Sequence, residues 1–128
     1  MSVTMRALGV GVLLAGVLFA VFLFIGPVFF VSGRTAFQMN FLAGAALGLV
    51  LGLEACRLAG VKRIEAVPAM VLIAVPGMLT MAAVGSHFAV FFPALDPGLD
   101  KVFGSWMLWF YGFALIGALW TARRAAQQ

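Results

Sequence analysis

The chain has few side chains that can do chemistry, and two of them are solitary. His87 is the only histidine and Cys56 the only cysteine. A single histidine cannot build a two-histidine haem or zinc site within one chain, and a single thiol cannot form an internal disulfide, a CxxC pair or a tetrathiolate metal site. An enzyme or a quinone-type redox site at His87 would need a second catalytic group, and the sequence offers no obvious one. We therefore expect no metal, no cofactor and no enzymatic activity.

Another set of polar residues has a spacing that suggests a binding pocket. Asn40, His87 and Trp106 each lie about one turn or more inside the outer boundary of a different predicted helix, so they share one depth. Polar groups at such a depth in a membrane are costly facing lipid and tend to point into the helix bundle. We predict an outward-opening polar pocket that His87 would make pH-sensitive near neutrality. Its rim would be formed by Arg34, Asp96 and Asp100. In the alternative, His87 and Trp106 meet lipid headgroups and Asn40 hydrogen-bonds the adjacent helix.

Pro76 and Gly77 fall in the middle of a long apolar run, where a proline perturbs a helix. Pro76 has no amide hydrogen, which leaves the carbonyl of Leu72 without its helical partner. Thr80 and His87 follow on about the same helical face as Pro76. The spacing suggests a hinge or a ligand site at Pro76, Gly77 and Thr80. A structural kink, satisfied by a neighbouring helix, is the simpler alternative.

A stripe of small or weakly polar residues recurs at every fourth position of the second apolar run. Its members are Asn40, Gly44, Gly48, Gly52 and Cys56. Such stripes let helix backbones approach closely in lipid, where packing drives helix association. We interpret Gly44, Gly48 and Gly52 as a packing face, and the sequence leaves open whether the partner helix belongs to the same chain.

Two charged motifs are interpreted as structural. Glu54 and Arg57 are spaced i, i+3 near the inner end of a predicted helix, which suits an intrahelical ion pair. Asp96 and Pro97 have the residue types of an N-cap and a first helical position, so they predict a helix start.

The composition requires a membrane environment for these motifs. Hydrophobic residues make up 65% of the 128-residue chain and charged residues 9%, and the mean hydropathy is +1.17. A soluble domain needs about a quarter of its residues charged. The formal net charge of +4 comes from few, scattered basic residues, which is unlike a nucleic-acid-binding surface. We therefore expect membrane lipids, and no nucleic acid, as the surroundings of the chain.

Four apolar runs are long enough to cross a bilayer, which takes about 20 residues in a helix. They predict an all-α integral membrane protein in a single four-helix domain over residues 1–128, arranged as two helical hairpins. The predicted spans are 7–31, 37–58, 66–92 and 102–121. Gly60 is predicted to cap the second helix.

The basic residues predict the orientation of these spans. Arg6, Arg57, Lys62, Arg63, Arg123 and Arg124 fall on one side of the predicted membrane, and Arg34 and Lys101 fall on the other. Cytoplasmic loops are the ones enriched in Lys and Arg. This asymmetry predicts that both termini lie in the cytoplasm.

The second half of the chain carries a more specific pattern. It reads VPGML at 75–79, FPALDP at 92–97 and FGSWMLWFYG at 103–112. Over residues 66–120 this order resembles an uncharacterised family of small four-span bacterial inner-membrane proteins, classed only as a domain of unknown function. The resemblance implies the span count and a bacterial inner membrane, and it brings no activity or catalytic residue.

Two kinds of function fit these observations. The first is a non-enzymatic accessory, assembly or sensing subunit that acts through helix-helix contacts, either in a homo-oligomer or with a membrane protein partner. The glycine stripe and the scarcity of ionisable residues favour it. The second is a small oligomeric transporter or channel-like protein that binds a small molecule or ion in the outer polar pocket. The absence of an acidic residue at the predicted membrane midplane argues against coupled ion transport.

Overall fold

The structure, a computed structural model, describes residues 2–29 and 34–128. All of its secondary-structure elements are helices. Its α-helices are α1 (Val3–Phe29), α2 (Arg34–Ala59), α3 (Ala66–Ser86), α4 (Phe88–Phe91) and α5 (Asp100–Ala126). Two 3-10 turns, Arg63–Glu65 and Pro97–Leu99, precede α3 and α5. Within the described residues there is no β-strand.

Four helical segments are long and apolar enough to cross a membrane. They are Val3–Phe29, Thr35–Ala59, Arg63–Ser86 and Pro97–Ala126. The four predicted spans therefore correspond to four helices. Helix α1 begins before its predicted start, and α2 and α5 extend beyond both predicted ends. The predicted end of the first span, residue 31, lies outside the described residues. At the start of α1, the Ser2 hydroxyl accepts a hydrogen bond from the Met5 amide at 3.2 Å, which caps the added turn. At the end of α2, Gly60 has a φ of 73°, the left-handed conformation expected of a glycine that ends a helix.

The third predicted span, 66–92, was wrong as one continuous helix, because α3 ends at Ser86 and α4 is a separate turn. The Ser86 hydroxyl donates to the Ala82 carbonyl at 2.8 Å, and the His87 ring lies 3.2 Å from the Ala83 carbonyl. Side-chain bonds to carbonyls four residues back compete with the backbone ladder and bend helices. At His87 itself the backbone leaves the helical conformation, with a φ of −118° and a ψ of 37°.

The four long helices form a bundle in the circular order α1, α3, α5, α2. The most extensive contacts join α2 to α5, α1 to α3 and α3 to α5. Helices α1 and α2 are consecutive in the chain, yet they pack together far less than either packs with its main partner. Of the two predicted hairpins, the second corresponds to a packed pair, α3 with α5, whereas the helices of the first, α1 and α2, each pack mainly against another helix.

Different side chains fill the two ends of the bundle. The end that contains Arg6, Arg57, Lys62, Arg63, Arg123 and Arg124 is called the basic end below. Near the basic end the core consists largely of small residues: Ala7, Ala55, Ala59, Ala66, Ala69 and Ala118. Towards the opposite end it is aromatic, with buried Phe22, Phe88, Phe92, Phe103, Trp106 and Phe110. The rings of Phe22 and Phe110 lie 5.1 and 5.3 Å from that of Trp106. Aromatic packing fills the interior where the outer polar pocket was predicted.

Candidate functional site

Asn40 and Trp106, two members of the predicted outer pocket, meet in the interior. Their exposed fractions are 8% and 1%. The Trp106 indole nitrogen donates to the Asn40 carbonyl at 2.8 Å, and the Asn40 side-chain amide donates to the Phe29 carbonyl at the end of α1. Asn40 thus links α1, α2 and α5, and these hydrogen bonds are made within the chain.

A neighbouring indole makes the same kind of contact. Trp109 donates to the Phe41 carbonyl at 2.8 Å, one residue along α2 from the carbonyl that Trp106 uses. Sequence reasoning missed Trp109 as a link between helices. The signal was available, because an indole N–H in an apolar environment usually finds a hydrogen-bond partner.

His87 lies on the surface, away from the Asn40–Trp106 junction. With Pro97 and Asp100 it lines a separate depression of about 320 Å³. The Asp100 carboxylate accepts from the Lys101 amide at 2.7 Å, and the Asp96 carboxylate accepts from the Gly98 amide at 2.9 Å as the N-cap of the 3-10 turn. The structure therefore brings His87 near Asp100 and leaves both apart from Asn40. The side chain of Arg34 lies outside the described part of the chain.

The three residues predicted to form a hinge face different neighbours. Pro76 lies inside α3, which continues through it to Ser86. Gly77 faces α5, where an added Cβ would overlap the hydroxyl of Tyr111. Thr80 is exposed and lines a groove between α1 and α3. Gly77 and Thr80 thus belong to two separate surroundings on either side of α3.

The glycine stripe of α2 packs against α5 of the same chain. A Cβ added to Gly44 would lie 2.9 Å from the Trp106 indole nitrogen, and one added to Gly48 would lie 2.9 Å from the Phe113 Cβ. At Gly52 it would overlap the Ala114 carbonyl oxygen. We call this contact between Gly44, Gly48, Gly52 and α5 the glycine seam. Only residues without a side chain allow the two backbones to come this close.

Tyr111, which sequence reasoning also missed, is a buried polar side chain without a partner. Its exposed fraction is 1%, and its hydroxyl makes no hydrogen bond within the described part of the chain. The residue lines a cleft of about 210 Å³ between α3 and α5, whose other walls include Met78, Met81 and Met107. A buried hydroxyl without a partner is uncommon, because losing its hydrogen bonds to water costs about 1–3 kcal/mol.

The groove between α1 and α3 has a volume of about 580 Å³ and is lined mainly by apolar or small side chains. We call it the α1–α3 groove; among its lining residues are Val12, Ala15, Gly16, Phe19, Thr80 and Ala83. No atom of the described residues lies within 4 Å of a Cβ built at Gly16. The Thr80 hydroxyl makes no hydrogen bond to any described residue.

Metal-ligating side chains are not clustered in the part of the chain that the structure describes. No group of three or more His, Cys, Asp or Glu residues there is placed to hold a metal ion. The one ion pair between described side chains joins Arg57 to Glu54 at 3.0 Å, at the spacing that the sequence suggested.

Comparisons with known proteins give one match, to a family model. A search of curated proteins and a search of solved structures each gave no match. The model of a family of unknown function, DUF5367, matches residues 29–125, which includes the segment that carried the resemblance and extends into the first half. The match covers most of the 128 residues. The chain therefore belongs to DUF5367, a family of unknown function.

Proposed function

We propose that the protein is a non-enzymatic, multi-pass protein of a bacterial inner membrane that acts as an accessory, assembly or sensing subunit. In this proposal a transmembrane helix of a membrane protein partner binds in the α1–α3 groove. The four long apolar helices support the membrane location, and the groove supports the mode of action. The contacts would be made by helix packing and one hydrogen bond, with no chemical step.

The proposal rests on the surroundings of Thr80. Its hydroxyl is exposed on the apolar face of α3, beside the open backbone of Gly16. In a lipid environment, interfaces between helices are enriched in small residues, and Ser and Thr side chains hydrogen-bond across them. A partner helix on this groove would approach closely at Gly16 and offer a polar group to Thr80. Lipid chains would provide neither contact.

The character of α1 also supports a protein partner. It is the most apolar and least buried of the four long helices, and both Gly9 and Gly16 face open space. A glycine in a helix costs about 1 kcal/mol relative to alanine. Within this chain nothing offsets that cost at the two positions, whereas a close helix-helix contact would.

We further propose that the basic end lies in the cytoplasm, because six of the eight basic residues lie there. Single cysteines introduced at Lys62 and Asp96, in a C56A background, test this orientation. An impermeant thiol reagent added outside intact cells should label position 96 and leave position 62 unlabelled. The reverse labelling pattern contradicts the proposal.

The groove is tested by one substitution and a matched control. Gly16→Leu fills the groove, and Gly112→Leu adds the same side chain at an equally open position on α5, outside both the groove and the cleft beside Tyr111. Each variant is purified in its native lipids and the mass of the complex is measured. We expect a stoichiometric complex with a second membrane protein that Gly16→Leu disrupts, Thr80→Val weakens and Gly112→Leu preserves. A monomer in every case, or equal disruption by both leucines, contradicts the proposal.

A second candidate function is the binding of a small molecule, as in a small oligomeric transporter. The unpaired Tyr111 hydroxyl beside the methionine-lined cleft favours it. In this candidate function the small molecule binds in the cleft between α3 and α5, instead of in the outer polar pocket that the sequence predicted. A homo-oligomer that retains a small molecule through purification, and loses it on Tyr111→Phe, would support this function over the first.

A further inference from the structure

A cavity at the basic end is lined by arginines and by apolar side chains. It has a volume of about 380 Å³ and lies between the end of α2, the 3-10 turn Arg63–Glu65 and the end of α5. Arg63 and Arg124 line it together with Thr121, and Leu53 and Trp120 contribute its apolar part. Two separate segments of the chain thus supply the two cations. We call it the arginine cavity.

The arginine side chains of the cavity are not paired with an acidic side chain. Glu54, the only acidic side chain among the lining residues, is paired with Arg57 at 3.0 Å, and Gln128 at the end of the sequence also lines the cavity. Neither Arg63 nor Arg124 has a carboxylate within ion-pair distance in the described part of the chain. Two guanidinium groups are therefore available to an anion.

The apolar side of the cavity indicates what kind of anion fits. The Arg124 guanidinium lies 5.7 Å from the ring centroid of Trp120, a distance at which a cation–π contact holds the arginine over the ring. Trp120 and Leu53 are both exposed. At the end of a membrane helix, such residues lie where hydrocarbon meets headgroups. The cavity thus offers an apolar surface next to cations, which suits a ligand with a phosphate and an acyl chain.

We propose that the arginine cavity binds the phosphate of an anionic phospholipid headgroup. Arg63 and Arg124 would hold the phosphate oxygens, since a guanidinium presents paired donors that match phosphate geometry. One acyl chain would lie over Trp120 and Leu53. Basic pockets between membrane helices are known to select anionic headgroups. This site is separate from the α1–α3 groove, so either assignment can fail without the other.

The chain offers a matched control for the lipid test. Arg123 is adjacent to Arg124 and carries the same charge, but it does not line the cavity. Protein released from nanodiscs containing equal amounts of dioleoylphosphatidylglycerol and dioleoylphosphatidylcholine is analysed by native mass spectrometry. We expect the wild type to retain phosphatidylglycerol preferentially. Arg124→Gln and Arg63→Gln should each lower its retention about tenfold, the effect of one lost charge-assisted contact, and Arg123→Gln should leave it within about twofold.

Three outcomes overturn the proposal. Equal losses in the Arg123 and Arg124 variants would indicate diffuse attraction to a charged surface instead of a site. Equal retention of both lipids by the wild type would exclude headgroup selection. Binding of inorganic phosphate in phosphatidylcholine-only nanodiscs, with the same dependence on Arg124, would assign the cavity to a soluble phosphate compound. The variants Arg63→Lys and Arg124→Lys keep the charge and serve if a glutamine variant fails to fold; they should give intermediate retention, because lysine lacks the planar pair of donors.

Discussion

The glycines of α2 and two glycines of α1, Gly9 and Gly16, have opposite surroundings. On α2, Gly48 and Gly52 contact the backbone of α5 so closely that an added Cβ would overlap a carbonyl oxygen. On α1, Gly9 and Gly16 have nothing within 4 Å of an added Cβ. Both helices are apolar and contain glycines, and the two sets of glycines differ in what they contact. One set of glycines stabilises the fold, and the other is available for contacts outside the chain.

The polar groups beside these two sets of glycines also differ, in whether they are hydrogen-bonded within the chain. Beside the glycine seam, the indoles of Trp106 and Trp109 each donate to a carbonyl of α2 at 2.8 Å, so the polar groups at this contact are paired within the chain. Beside the open glycines of α1, the Thr80 hydroxyl is unpaired among the described residues. The contact between α2 and α5 is therefore closed by hydrogen bonds within the chain, and the open face of α1 and α3 is where we propose that a partner binds.

The largest effect is expected for a side chain placed in the glycine seam. Gly52→Leu must separate α2 from α5, since a Cβ at this position would lie 2.8 Å from the Ala118 nitrogen and would overlap the Ala114 carbonyl. We expect a loss of about 3 kcal/mol in the free energy of unfolding, the upper end of the usual cost of overpacking. Unfolding by titration with a denaturing detergent measures it. Gly112→Leu, on α5 with open space around it, is the control and should not lower stability by more than about 0.5 kcal/mol, since leucine favours a helix more than glycine does. Equal stability of the two variants would contradict the close contact.

The fourfold repeat of glycines predicted a packing face, but it did not identify the helix that packs there. A stripe that meets α5 and a stripe that meets another protein have the same spacing, because both need only backbones that approach closely. Hydropathy was sufficient to predict the number of long helices, because the length and the apolar character of a span can be read from a local stretch of sequence. The pairing of α1 with α3 is a property of the assembled bundle.

The parts of the candidate site that sequence reasoning misplaced depend on tertiary contacts. His87 was assigned a depth from an unbroken helix over 66–92, whereas α3 ends at Ser86 and α4 begins at Phe88. Tyr111 drew no notice because a tyrosine in an apolar run is ordinary. Only the assembled bundle leaves its hydroxyl without a partner.

A smaller effect is expected within α1 itself, where open and closed glycines lie two residues apart. A Cβ at Gly11 would overlap the Ile73 carbonyl oxygen on α3, whereas Gly9 faces open space. Gly11→Leu should lower the free energy of unfolding by about 2 kcal/mol, because α1 is displaced from α3. Gly9→Leu should be neutral or stabilising by up to about 1 kcal/mol, because leucine favours a helix more than glycine does. The same detergent titration compares them, and a destabilising Gly9→Leu would show that the outer face of α1 packs within the chain.

The smallest effect is expected for Tyr111→Phe, which removes only the hydroxyl. A hydroxyl that is buried without a partner contributes nothing to stability and incurs a desolvation cost, so its removal should be neutral or stabilising by up to about 1 kcal/mol. A loss of more than about 1 kcal/mol would mean that the hydroxyl has a partner, either a bound molecule or a carbonyl of α3.

Tyr111 is the only tyrosine, so a ¹³C label on its ring gives a single NMR signal that reports hydrogen bonding of the hydroxyl. A signal typical of a free phenol in detergent, shifting when native lipid extract is added, would locate a small-molecule site in the cleft between α3 and α5. An unshifted signal together with a neutral Tyr111→Phe would leave the open face of α1 and α3 as the stronger candidate for function.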